Sequence, residues 1–290
     1  MSATTNAAPG IVVRASALPG WTDCPRRGAA RLFESEIRAS GYELRETGRG
    51  IGATIGTSVH KAAAYTLTEK MVAGTPAPTS AATDCAIDTY REIVREGVDF
   101  DRETPSTPDA ERQIVRMVDS YQRTIVPAVD PIAVEEPLEA DTPFGVTLTG
   151  HGDLLAREAA CVRDLKTGKK RGNYKPQLGG YALLYKANGL PAASCAEDFL
   201  ERTSLKKPQP DPRSYTHDLP SAETAALAIL RHIKSCLDIF RAGDPALGIR
   251  PGDPWAFPAN PNSMLCSAKW CRAWGTEWCH EHRTMEDTND

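Results

Sequence analysis

The spacing of hydrophobic and polar positions changes period along the chain, and the change divides it. From Thr57 the run SVHKAAAYTLTEKMV sets His60, Ala64, Leu67 and Met71 three or four residues apart. That is one face of a helix, with Thr57 or Ser58 able to cap it and the Pro-rich stretch 74–78 to end it. Residues 82–96 and 109–124 keep the helical period, the second through Ile114, Met117, Tyr121 and Ile125. Further upstream, residues 15–40 predict a turn around Pro19 and Gly20, then a helix carrying Arg27, Arg31, Phe33 and Ile37. From Ile132 the period shortens to alternation, and IAVEEPLEA, FGVTLTGHGDLLAR and CVRDLKTG predict three strands with a turn at 157–159. A helix over 174–187, a strand over 196–203 and a helix over 221–241 complete the body. These elements predict an α/β fold with a mixed central sheet flanked by helices.

With 290 residues the chain is near the size at which one core stops growing. The expectation is one domain over 1–290, with a helical insertion at about 75–128 and the catalytic sheet at about 130–205. A cysteine-rich tail at about 255–290 would return to the first helix. Hydrophobic residues make up 41% and charged residues 25%, ordinary values for a soluble globular protein. The amino terminus MSATTNAAPG has no basic leader, and no run of eighteen apolar residues occurs, so no membrane partner and a cytoplasmic location are expected. A net charge of −4 argues against indiscriminate wrapping of nucleic acid. Locally, Arg163, Lys166, Lys169, Lys170, Arg171 and Lys175 face one acid, Asp164, which predicts either a phosphate-facing patch or a solvated loop.

The segment GHGDLLAREAACVRDLKTGKK carries the candidate chemistry. Asp164 and Lys166 are two apart on one predicted strand and therefore point to the same face. If the preceding strand pairs with it, Asp153 and Asp164 converge on one hard cation. Carboxylate-held magnesium can deprotonate a water and neutralise the transition state of phosphodiester hydrolysis. Lys166 would then hold the attacking water or stabilise the developing charge, with a neighbouring cation and partial burial bringing its pKa down.

The order GxxD, ten residues, DxKTGK resembles the RecB-like branch of the PD-(D/E)XK nuclease superfamily, which includes CRISPR-associated and phage exonucleases. The resemblance extends to GTSVH, whose His60 would be a metal ligand, and to QLGGY, whose Gln177 and Tyr181 would join Asp153, Asp164 and Lys166 as catalytic residues. It implies that His60, Asp153, Asp164 and the backbone of Leu165 hold Mg2+ or Mn2+. Glu135, on the strand before Asp153, stands where many relatives carry an acid, and only a minor metal role is expected of it.

Eight cysteines in a long chain without an export signal point away from a disulfide scaffold. Cys266, Cys271 and Cys279 crowd the tail, and Cys24 stands alone near the start in TDCPRRGAARLF. That arrangement resembles RecB-like nucleases with a 4Fe-4S cluster, which implies Cys24, Cys266, Cys271 and Cys279 as ligands. The tail departs from the commoner C-x2-C spacing, and zinc, with His280 or His282 able to replace a thiolate, is the alternative. The activity implied is hydrolysis of single-stranded or end-containing DNA by an exonuclease, in recombination, repair or phage DNA metabolism. The partner is DNA, with room for a recombination or replication protein. The rivals are a non-catalytic nucleic-acid-binding or assembly module on the same fold, and a zinc-stapled DNA-binding protein.

Gly48, Gly50, Gly52 and Gly56 satisfy neither GxGxxG nor a P-loop, so this segment is expected to be a flexible loop near the DNA path. Trp255, Trp270, Trp274 and Trp278 are expected to pack the tail, with stacking on bases as the alternative.

Overall fold

In the computed structural model, which describes residues 10–280, six strands form one sheet: β1 (Ile11–Arg14), β2 (Pro131–Asp141), β3 (Val146–Ala156), β4 (Cys161–Gly168), β5 (Ser194–Glu201) and β6 (Arg213–His217). β3 is the hub. β2 runs antiparallel to it along nearly its whole length. Its other edge is shared, with β1 parallel at Val146 to Thr149 and β4 antiparallel at Leu154 to Ala156. Between those two partners lies Gly150-His151-Gly152-Asp153, which carries no ladder on that edge, and the functional site opens there. β5 is parallel to β4, and β6 closes the sheet antiparallel to β5.

Alternation along the strands creates two apolar faces. Val146, Leu148, Leu155, Val162 and Cys195 pack with α1 (Leu18–Asp23), α2 (Pro25–Leu32), α3 (Glu34–Ala39), α7 (Lys175–Ala187) and α8 (Leu219–Ala242). Leu154, Ala156, Leu165, Ala196 and Leu200 pack with α4 (Ile51–Ala73), α5 (Thr79–Val94) and α6 (Thr107–Thr124). Parallel β4 and β5 need a crossover, and α7 supplies it. α7 approaches α8 so closely that a Cβ on Gly179 would collide with the Ala222 carbonyl. Among the described residues, no helix is long and apolar enough to cross a membrane.

The structure differs from the expected elements in the amino-terminal part. Pro19 sits in the first turn of α1, where its fixed φ is helical and its missing N–H costs nothing. The helix expected through Arg27 and Ile37 is two helices, broken at Phe33, whose φ of −123° is not helical. α4 starts at Ile51, so half of the glycine-rich segment is helix rather than flexible loop. Thr57 and Ser58 are interior residues that donate to the carbonyls of Ala53 and Thr54 at 3.1 and 3.0 Å, instead of capping. The buried stripe of α4 is Ile51, Ile55, Val59, Ala62, Ala63 and Leu67, and Met71 lies exposed beyond it. β1 and β6 were not foreseen: β1 is only four residues long, and β6 is a half-exposed edge strand with no apolar alternation.

Candidate active site

Asp153 and Asp164 are brought together where β3 and β4 part. The ladder between these strands ends at the pair Leu154 and Arg163. One step further the Asp153 carboxylate replaces the missing sheet partner, accepting the Leu165 N–H at 2.8 Å. Leu165 thus meets Asp153 through its amide. The same oxygen, Asp153 Oδ2, lies 3.4 Å from Nδ1 of His60, which α4 presents over the end of the sheet. α4 comes this close because residue 56 has no side chain: a Cβ on Gly56 would stand 2.6 Å from Thr167 Oγ1 at the end of β4. The spacing in GTSVH therefore has a steric reason, with Gly56 seating the helix and His60, one turn later, reaching the carboxylate.

Asp164 is fully buried. Its Oδ1 accepts from Gln177 Nε2 at 3.0 Å, and the same Nε2 donates to Tyr181 OH at 3.0 Å, so α7 holds the carboxylate through the two residues of QLGGY. Lys166 Nζ is 2.7 Å from Oδ2, yet Oδ2 has no aligned hydrogen-bond donor. The pair is held by charge more than by a directed bond. Lys166 also lies 4.7 Å from the centre of the Tyr174 ring.

The charges in this cluster are mutually dependent. Burial pushes the Asp164 carboxyl up to about 7, with Asp153 adding to the shift and Lys166 opposing it. Burial also acts on Asp153, but His60, Lys166 and the Leu165 N–H outweigh it and hold this carboxyl below its ordinary range. Burial disfavours the His60 cation, and the Asp153 carboxylate overcomes that and pushes His60 up. Among the chain's own groups, burial would lower the Lys166 pKa, but Asp164 and Asp153 outweigh burial and raise it.

Glu135, of which only a minor metal role is expected, lies in the same cluster. His60, Glu135 and Asp153 each offer one ligand atom, and the three atoms lie within 4.8 Å of one another, close enough for one metal ion. Glu135 stands across from Asp153 in the β2–β3 register, between the pairs Val134 with Leu154 and Glu136 with Gly152. Its φ of 50° is left-handed, a strained conformation for a glutamate in a strand and one that clusters at functional sites. The sequence signal was the doubled acid Glu135-Glu136, which interrupts the alternation of β2. The donor set, an imidazole with carboxylates and a buried Asp164 oxygen lacking an aligned donor beside it, fits a hard divalent cation.

His60, Glu135 and Asp153 line a cleft of about 620 Å³ whose walls include Gly52, Gly56, Lys61, Lys169 and Arg202. Arg202 had no signal in the sequence. Only 5% exposed, it donates to Asp101 Oδ2 at 2.7 Å and to Thr104 Oγ1, tying the loop before α6 to the sheet.

The basic run 163–175 does not form one patch. Arg163 makes a two-pronged pair with buried Asp198 at 2.9 and 2.5 Å, and Lys166 joins Asp164. Arg171 binds buried Glu197 at 3.0 Å, and Lys175 donates to Ser221. Lys169 alone of these six lines the cleft. Alternation along β4 and the turn after it send neighbours in opposite directions.

The cysteine tail returns to α2. Cys24, Cys266, Cys271 and Cys279 line a single small cavity. Among the described residues no disulfide joins any cysteine. Arg26 Nε donates to Phe257 O at 2.9 Å, Arg27 Nη1 to Ser263 Oγ at 3.1 Å, and Trp278 Nε1 to Arg26 O at 3.2 Å, so CPRR clamps both sides of the tail. Burial pushes the Cys271 thiol up to about 11, which disfavours its thiolate unless a metal binds it. Trp278 is fully buried, as expected for packing, whereas Trp255 and Trp270 are 53% and 40% exposed. His282 lies outside the described residues.

The fold is an α/β sandwich around a mixed sheet, with acids at the parted ends of two strands. The model of the PD-(D/E)XK nuclease superfamily matches residues 15–279, and the chain belongs to that superfamily. No curated protein matches it. Among solved structures it is similar to a candidate exonuclease from Eubacterium rectale, at 13% identity and a TM-score of 0.50, covering 76% of this chain and 80% of that one. A second, SSO0001, has 12% identity and a TM-score of 0.30, covering 83% of this chain and 89% of that one. A third, LHK-Exo in complex with dAMP, has 12% identity and a TM-score of 0.29, covering 66% and 97%.

Proposed function

We propose that the protein is a DNA nuclease dependent on Mg2+ or Mn2+, acting as an exonuclease on single-stranded or end-containing DNA. The observation that carries this reading is that a helix and two strands bring His60, Glu135 and Asp153 together in one cleft as a metal-sized group, with the Asp164–Lys166 pair beside Asp153 on the next strand. His60, Glu135 and Asp153 would hold the cation, with Asp164 beside them. When bound, the cation supplies an activated water and neutralises charge on the phosphodiester.

The chain's own groups do the rest. Lys166, whose ammonium form Asp164 and Asp153 favour, would place positive charge on a phosphate oxygen. Gln177 and Tyr181 keep Asp164 in place, and Tyr174 covers the lysine. The test is a time course on end-labelled single- and double-stranded DNA with Mg2+ or Mn2+, comparing the native protein with Lys166→Ala. Metal-dependent release that vanishes in the variant is expected; binding without cleavage under either metal refutes the assignment.

For the tail, the reading is a 4Fe-4S cluster on Cys24, Cys266, Cys271 and Cys279. What supports a shared ligand set is that these four cysteines, from both ends of the chain, line one small cavity. Four irons and four acid-labile sulfides per chain after anaerobic purification are expected. One zinc per chain in a colourless protein would overturn this assignment.

A further inference from the structure

A second cleft, of about 570 Å³, adjoins the first, and Lys169 and Arg202 line both. Its walls add Arg102, Lys206 and Lys207, all exposed, from two loops far apart in sequence. Of the acids lining it, Glu103 pairs with Lys169 at 3.2 Å and Asp109 with Arg112 at 2.6 Å, leaving Glu201 against three outward cations.

The wall is pre-shaped. Arg202 N donates to Gly168 O at 2.8 Å, Arg116 Nη2 donates to Lys207 O, and Gln209 Nε2 donates to Glu201 O at 2.8 Å, so the loop carrying Lys206 and Lys207 is pinned at both ends. A pinned loop loses little entropy on binding. Clefts of this size enclose molecules about as large as a nucleotide. A chain with net charge −4 that binds a polyanion must do so through a local set of cations. In the run 163–175, Arg163, Lys166, Lys169 and Arg171 are paired with acids, so it does not provide one.

We propose that the strand being cut continues from the Asp153 cleft past Lys169 and Arg202 into this second cleft, where Arg102, Lys206 and Lys207 bind the phosphates of nucleotides flanking the scissile bond. This rests on the nuclease reading for the first cleft. It makes the substrate an extended strand rather than a dinucleotide, and makes these three cations the source of affinity that grows with length.

The test is fluorescence anisotropy with fluorescein-labelled oligothymidylates of 6 and 24 nucleotides, in EDTA, from 50 to 300 mM salt. Three contacts on a single strand predict that Arg102→Ala/Lys206→Ala/Lys207→Ala lowers the slope of log affinity against log salt by about 2 and weakens the 24-mer about 100-fold at 0.1 M salt. Lys207→Ala alone should lower the slope by about 0.7, which guards against a folding defect in the triple variant. Lys206→Arg/Lys207→Arg should keep the slope. Native-like slope and affinity in both alanine variants, or no binding of the 24-mer by the native protein, overturns the groove. A native protein that binds through these cations but cleaves nothing with Mg2+ or Mn2+ refutes the nuclease reading and leaves the groove standing; cleavage with an indifferent triple variant does the reverse.

Discussion

The cleft and the tail hold their chemistry in place by opposite means. His60, Glu135, Asp153 and Asp164 are on a long helix and three strands, so backbone ladders set their positions. From Phe257 to His280 there is no helix or strand, and the tail is held by scattered bonds, most of them from side chains, that reach across more than 200 residues of sequence. The cleft can therefore carry unfavourable electrostatics, a buried carboxyl near neutrality beside two other acids, because the elements around it are independently stable. The tail has no such reserve, and the proposed cluster on its cysteines would supply one. Damage to the cleft should remove activity and spare the fold, and damage to the tail should do the reverse first.

The sharpest break is Asp153→Ala or Lys166→Ala. Each should lower kcat/KM on DNA by at least about 100-fold, since a lost electrostatic contact to the transition state costs that much or more. The melting temperature should stay within a few degrees; a large fall would mean that the cluster is structural. Next is Cys271→Ser, expected to destabilise by about 2–5 kcal/mol if the ligand set behaves as other crosslinks that close long loops do. Denaturant unfolding would measure it, and residual protein at low temperature should still cleave. Loss of activity with unchanged stability would erase the contrast.

Gln177→Ala sharpens the comparison from within the cleft. It removes the one aligned hydrogen bond recorded for the Asp164 carboxylate, about 1–3 kcal/mol for a buried charged acceptor, and should cut kcat about tenfold with KM little changed. A stability loss with unaltered kcat would make Gln177 a packing residue only. The smallest effect concerns Asp101. Burial pushes its carboxyl up, but Arg202 and Lys169 more than reverse that and hold it down at about 2, against an ordinary value of 3.8. Its contribution, on the order of 1–2 kcal/mol, is fully present above pH about 4 and is lost as pH falls through about 2. The stability gap between native protein and Asp101→Asn should therefore close over that range in acid unfolding. A gap constant down to pH about 2 would show that Asp101 is not held in its ionised form.

Much of this was legible in the chain, and the reasons are local. Strand β4 matched its predicted bounds, Cys161–Gly168, because a short alternating run ends there in glycine. Asp164 and Lys166 on one strand face follow from a period of two, and a neighbouring strand brought Asp153 alongside. His60 and the Gln177 and Tyr181 pair were readable only through their order in a family pattern, since a lone histidine or a Gln and Tyr four apart carry little information. Their contacts appear once α4 and α7 are seated on the sheet. β1 and β6 escaped notice because one is too short and the other too exposed to show a pattern.

By itself the sequence determined the α/β alternation, the acidic pair with its lysine and the set of four cysteines, because these depend on period, spacing and residue chemistry. Only the tertiary structure decided which charges are available. It turned Arg163 and Arg171 inward to buried acids, raised the pKa of Lys166 by surrounding it with carboxylates, and swung Glu135 into the metal-sized group. It also joined Arg102 and Lys207 across one cleft. Such outcomes depend on distance and burial between residues that are not neighbours in the chain, and electrostatic energies follow those two quantities rather than order in sequence.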